Sequence, residues 1–299
     1  MAKAGDQKKP VKADEPRGGV TAWLKEFGII VGAFLVLNSF VLASFEVPTG
    51  SMENEIMTGD FLLVNKFVFG GTTPRTVPFT NYKLPAFKLP AFWHVERGDV
   101  IVFMFPGYRD ETQPEEFAYY LKRCVALSGD TLQINHRVVT VNGKPIPVPR
   151  NVKFNSPLEK PPGYADARIF PKGAPWNEDN YGPIVIPSKG EKLELNADNY
   201  DRWDTFIRRE GHAVDMRDGK IYIDNREQST YTVEREYAFG MGDNRDNSLD
   251  SRFWGFVPVE SIVGTPLIVY WSWDPDAPIF RFAEKLASVR WNRFGTLVK

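Results

Sequence analysis

The sequence predicts a mainly β fold, with a single N-terminal transmembrane helix followed by a β-rich core that carries an inserted cap domain. Three observations lead there. One uncharged apolar run, Phe27 to Phe45, stands near the start of the chain. After it come short runs of β-branched and aromatic residues separated by Gly and Pro, the pattern of strands and turns. Between about 145 and 234 the chain is richer in Pro, Asn, Asp and charge and its periodicity weakens, which marks an insertion between two parts of one core.

Taken in order, residues 1–26 form a tail on the cytoplasmic side. Its first twenty residues have almost no large apolar side chain and too little hydrophobicity to order themselves. The run 27–45 (FGIIVGAFLVLNSFVLASF) would make a helix about 28 Å long at 1.5 Å per residue, enough to cross a bilayer core. Lys3, Lys8, Lys9, Lys12, Arg17 and Lys25 precede it, and the first basic residue after it is Lys66. That bias predicts the N-terminus in the cytoplasm and everything after Phe45 on the outer side. A buried core helix and a cleaved signal peptide ending at Val41-Leu42-Ala43 are the competing readings. The leader ahead of the run is unusually long for a signal peptide, so a retained anchor is favoured.

The core has two parts, 46–144 and 235–299, with the cap at 145–234. Its strand candidates are Asp60–Phe69, Asp99–Phe105, Thr131–Val141, Arg235–Gly240 and Gly264–Trp271, and Gly219–Ile223 is a further one within the cap. Asn142-Gly143 is a hairpin-turn signal. The last stretch, 281–299, mixes five basic residues with Phe282, Leu286, Val289, Trp291 and Phe294. It reads equally well as a segment lying at a lipid interface and as a terminal helix packed on the core.

Composition excludes several classes of function. A formal net charge of −1 over 299 residues gives no whole-chain attraction for nucleic acid. The single cysteine, Cys124, rules out an internal disulfide and a cysteine metal cluster. His94, His136 and His212 are the only histidines, which leaves a Ser-His-Asp triad few candidates.

Three segments carry candidate chemistry. Ser51 lies just beyond the apolar run in Pro48-Thr49-Gly50-Ser51-Met52, where Gly50 allows close approach of a peptide backbone. Lys122 lies in Tyr119–Leu127; on a strand it would share a face with Tyr120 and Cys124, and burial there would lower its pKa and suit it to accept a serine proton. The third segment, Gly240 to Gly255, holds Asp243, Asn244, Arg245, Asp246, Asn247, Ser248, Asp250 and Arg252 between apolar flanks, and needs mutual hydrogen bonds if it is buried. A calcium loop fits it poorly, because Arg245 or Ser251 falls where that loop needs other residues. Cys124, beside two basic residues, is a competing nucleophile, though no histidine lies near it in sequence and a small buried role is the commoner one.

These segments, in this order after one N-terminal span, resemble the bacterial type I signal peptidases. The resemblance rests on Pro48-Thr49-Gly50-Ser51-Met52, Gly59–Lys66, Arg97–Phe103, Tyr120-Leu121-Lys122-Arg123 and Gly242–Ser248 running on to Asp250-Ser251-Arg252. It implies a membrane-bound serine endopeptidase that cuts after Ala-X-Ala, with Ser51 as nucleophile and Lys122 as general base. By the same resemblance Ser248 holds the lysine amine, Asp250 and Arg252 support the loop, and Arg123 follows the family's Lys-Arg order. Thr49 becomes the oxyanion donor beside the Ser51 backbone N–H, where relatives often carry serine. No metal or organic cofactor is implied. The expected partners are the signal peptides of exported pre-proteins and membrane lipid, met through the anchor and a hydrophobic surface of the core. A monomer in the bacterial cytoplasmic (inner) membrane, with its catalytic domain on the outer side, is expected. A Ser/Lys protease of the self-cleaving repressor type and a membrane-tethered module without catalysis are the alternatives.

Overall fold

The computed structural model describes residues 19–71 and 89–299. The first eighteen residues of the expected tail, with five of its six basic residues, lie outside the described residues.

The chain begins with helix α1 (Val20–Phe40). Strand β1 (Leu42–Glu46) follows directly and pairs with β2 (Asp60–Asn65). The helix therefore stops short of the expected boundary at Phe45, and the residues from Leu42 onward lie in the sheet. The physical reason is pairing: Leu42 to Glu46 form a full antiparallel ladder with Asn65 to Phe61, which satisfies backbone groups that a longer helix would also have needed to satisfy. The uncharged part of α1, from Phe27 to Phe40, would span about 21 Å. Among the described residues no helix is long and apolar enough to cross a membrane.

After β3 (Val100–Met104) and the long β4 (Tyr119–Leu127), a run of small strands begins. β5 (Thr131–Asn135), β6 (Val138–Val141) and β7 (Lys144–Pro145) form two successive hairpins, and β8 (Tyr181–Val185) joins the other edge of β5. The stretch expected as one strand over 131–141 is thus two strands. It turns at His136 and Arg137, both at positive φ, a turn that the apolar alternation on either side had hidden. The Asn142-Gly143 turn lies where the sequence places it, also with two positive φ values. Beyond come β9 (Lys192–Glu194), helix α2 (Tyr200–Arg209), β10 (Val214–Arg217), β11 (Lys220–Ile223), β12 (Arg226–Glu227) and β13 (Thr230–Thr232). They make a three-stranded sheet β10-β11-β12 and a pair β13-β9.

The chain then returns to the first sheet with β14 (Tyr237–Met241), the short helix α3 (Ser251–Trp254), β15 (Val257–Pro258) and β16 (Ile262–Ser272). Helix α4 (Phe282–Ala287) and β17 (Thr296–Leu297) complete it. The main sheet has the order β1-β2-β16-β3-β4-β14-β15, with β17 against β16, and every pair is antiparallel. β16 is the only link in that order between the β1-β2 and β3-β4 hairpins. Val47, Met52, Leu62, Val100, Val102 and Val269 pack together beneath it. Another core, including Leu132, Tyr181, Ile207 and Phe239, joins the smaller sheets to the main one.

The C-terminal stretch packs on the core in part. Arg293 makes a paired contact with buried Asp60, and the buried Lys285 Nζ donates to the Asp274 carbonyl at 2.7 Å. Phe280, Phe282, Trp291 and Phe294 nevertheless remain mostly exposed.

Candidate active site

Ser51 sits in a single 3-10 turn, Gly50–Met52, between β1 and β2. Its backbone is gripped by the loop after β14: the Asn244 N–H donates to the Ser51 carbonyl at 3.0 Å, and Asn244 Nδ2 donates to the Gly50 carbonyl at 2.9 Å. Gly242 allows this closeness. A Cβ there would lie 2.6 Å from the Ser51 carbonyl oxygen and 2.2 Å from Ser248 Oγ.

Lys122 comes from the middle of β4, where it pairs with Ile101 of the apolar β3, and only 3% of it is exposed. Its Nζ lies 2.6 Å from Ser51 Oγ and 3.0 Å from the Leu121 carbonyl, and 5.8 Å from the centre of the Tyr120 ring. Burial is the main reason its pKa falls, to about 8; Asp250 opposes the fall and Arg252 assists it. A bulge opposite Val125 shifts the register of β14, and the missing side chain of Gly240 leaves room for the Lys122 stem, since a Cβ there would lie 3.0 Å from Lys122 Cβ.

The polar loop is buried and hydrogen-bonded, as its composition requires. Arg123 and Asp243 pair at 2.6 Å, and Arg252 and Asp250 pair at 2.7 Å, all four buried. The Asp250 carboxylate also accepts from the Gly242 N–H at 3.0 Å and caps α3 through the Arg252 N–H. Burial would raise its pKa, but the Arg252 guanidinium and these N–H groups outweigh that and hold the carboxyl below its ordinary value. Ser248 lines the same cavity as Ser51 and Lys122, yet its buried Oγ makes no hydrogen bond, so it does not hold the amine in this structure. Thr49 precedes the nucleophile turn in extended conformation, exposed at the cavity rim.

That cavity, about 530 Å³, runs between Val47-Pro48-Thr49 and β4. β14 pairs with β4 only from Arg123 onward, so Tyr120 to Lys122 have no partner strand on that side among the described residues. Cys124, by contrast, is fully buried; desolvation raises its thiol to about 12, far from a reactive thiolate.

A family model described as "Signal peptidase, peptidase S26" matches residues 20–271. The chain belongs to the S26 signal peptidase family. Similar curated proteins within it include Signal peptidase I of Pseudomonas aeruginosa, 30% identical over 262 residues, covering 84% of this chain and 72% of that one. Signal peptidase I of Buchnera aphidicola subsp. Acyrthosiphon pisum is 29% identical, covering 92% and 81%, and that of Aquifex aeolicus is 27% identical, covering 89% and 90%.

Sequence reasoning missed Asn244 as the residue that anchors the nucleophile turn. Its place inside the polar run gave no sign that it would reach Gly50 and Ser51. It also missed the Arg123–Asp243 pair, since nothing in the sequence joins residues so far apart.

Proposed function

We propose that this chain is a membrane-bound serine endopeptidase that removes N-terminal signal peptides from exported pre-proteins, with Ser51 as nucleophile and Lys122 as general base. The observation that carries the reading is a desolvated amine 2.6 Å from a serine hydroxyl at the wall of a cleft. Family membership supports the reaction, and the buried pair supports these two residues as its agents.

In this reading the neutral Lys122 amine takes the Ser51 proton as Oγ attacks the carbonyl carbon before the scissile bond. The oxyanion is held by the Ser51 N–H and the Thr49 hydroxyl. Protonated Lys122 then passes its proton to the departing amine, and the acyl-enzyme is hydrolysed by a water that Lys122 deprotonates. Ser248 steadies the amine once it rotates into reach, while Arg123, with Asp243, and Arg252, with Asp250, hold the strand and the loop. The substrate lies as an extra strand along Tyr120–Lys122, and small pockets favour Ala-X-Ala.

The placement follows from the same reading. The 21 residues of α1 span about 31 Å, and Trp23, Ile30 and Phe34 are each at least 60% exposed, which supports lipid as their surroundings. The basic residues before α1 orient it with the N-terminus cytoplasmic and the site on the outer face. The exposed aromatic residues of 279–294 give the core its lipid-facing surface, the enzyme acts as a monomer, and the segment 145–234 serves as a cap. Cleavage of a purified pre-protein in detergent tests the chemistry: Ser51→Ala and Lys122→Ala abolish it, and Cys124→Ala retains it. Normal cleavage by Lys122→Ala refutes the mechanism.

A further inference from the structure

A second cavity, about 970 Å³, lies on the other face of β4 from the dyad: Lys122 lines the first cavity and its neighbour Arg123 lines the second. No step of the proposed reaction uses it. Arg245 borders both.

Arg245 is the anomaly. Three arginines among the described residues are buried, and two of them, Arg123 and Arg252, hold a carboxylate at 2.6 and 2.7 Å. Arg245, 5% exposed, has no carboxylate within ion-pair distance among the described residues, and its Nε is buried without a hydrogen-bond partner. Burying an unpaired charge is costly, and burial lowers this guanidinium to about 10. The rest of the wall adds to the imbalance. Lys144 and Arg150 line the cavity with no ion-pair partner among the described residues, and Glu55 is the one lining side-chain carboxylate described. The stretch 145–149, three of whose five residues are proline, forms an apolar side to the same space.

We propose that this cavity binds a phosphate ester, with the phosphate on Arg245, Lys144 and Arg150 and the organic part against the proline-rich wall. A group with more than one negative charge suits a wall where unpaired cations outnumber the side-chain carboxylate three to one, and guanidinium groups meet phosphate oxygens in matched geometry. Either a soluble phosphate monoester or a phospholipid headgroup presents that chemistry.

The test uses the full chain in neutral detergent micelles, titrated with glycerol 3-phosphate and followed by phosphorus NMR and calorimetry. A parallel arm measures co-sedimentation with phosphatidylcholine vesicles with and without phosphatidic acid. Saturable binding is expected in at least one arm, and the arm that responds identifies the source. Arg245→Gln weakens it by about tenfold, the loss of one charge-assisted contact. Lys144→Gln with Arg150→Gln weakens it comparably; it alters exposed side chains alone and so decides the matter if Arg245→Gln does not fold. Ser51→Ala binds as wild type, which separates this site from the dyad cavity. Absence of saturable binding in both arms, or affinity unchanged by the double variant, overturns the proposal.

Discussion

Replacing Lys122 by methionine makes the protein inactive and more stable, by an amount that depends on pH. The amine falls from 10.5 to about 8 on folding because the strand takes it out of water. At about 1.36 kcal/mol per unit, the folded state carries a penalty of roughly 3 kcal/mol at pH 7. The sign follows from the direction of the shift. Below about pH 8 the folded protein must charge a desolvated amine and bears the whole penalty; between pH 8 and 10.5 the penalty fades. Methionine fills similar volume without a charge. It forfeits the contacts to Ser51 and the Leu121 carbonyl, about 1 kcal/mol in net terms. Lys122→Met is therefore more stable than wild type by about 2 kcal/mol at pH 7 and by close to zero at pH 10. Urea denaturation of both proteins at the two pH values, in the same micelles, measures the difference. A variant less stable than wild type at pH 7, or a difference equal at both pH values, would refute the reasoning. In the wild type, kcat/KM for pre-protein cleavage rises with pH through about 8 for the same cause.

Gly242→Ala places a methyl group against Ser248 and the Ser51 carbonyl; cleavage falls by about 100-fold and stability by about 1–3 kcal/mol, read by peptide kinetics and denaturation. Asp250→Ala strands a buried Arg252 and costs about 3–5 kcal/mol, most of it recovered in the double variant with Arg252→Met. Because the Asp250 carboxyl is held below its ordinary value, its contribution is present at neutral pH and disappears as the solution is acidified past the carboxylate range, so wild type and Asp250→Ala converge there. Thr49→Val lowers kcat by about 100-fold while Thr49→Ser keeps it near wild type, if the hydroxyl holds the oxyanion.

Much of the core was legible because strands announce themselves locally. β2, β3, β11 and β16 lie within or around their apolar runs, and the Asn142-Gly143 turn follows from two residues that tolerate positive φ. The His136-Arg137 turn was not legible, since Arg137 is not a usual occupant of that region of backbone space and the apolar alternation on either side runs straight across the pair. The end of α1 was hidden for a different reason: Leu42 to Phe45 suit an apolar helix and a buried strand equally, and the ladder with β2 decides between them. At the site, Ser51 and Lys122 could be named from their motifs. The Asn244 grip on the nucleophile turn could not, because a hydrogen bond across 194 residues leaves no trace in local pattern. Ser248 is the converse case, named by resemblance yet unbonded in the structure.

The position of β16 in the sheet bears on how the molecule is made. Ser51 belongs to the β1-β2 hairpin and Lys122 to the β3-β4 hairpin, and the strand lying between those hairpins is not synthesised until residues 262–272. In order of synthesis, the proposed nucleophile and base thus both precede by about 140 residues the strand that joins their hairpins. On the proposed function, cleavage is expected only once β16 has been made and has joined the two hairpins. A chain ending after Trp254 retains Ser51, Lys122 and the whole polar loop, yet is expected to leave pre-proteins uncut, and truncations that restore β16 should return cleavage in a single step.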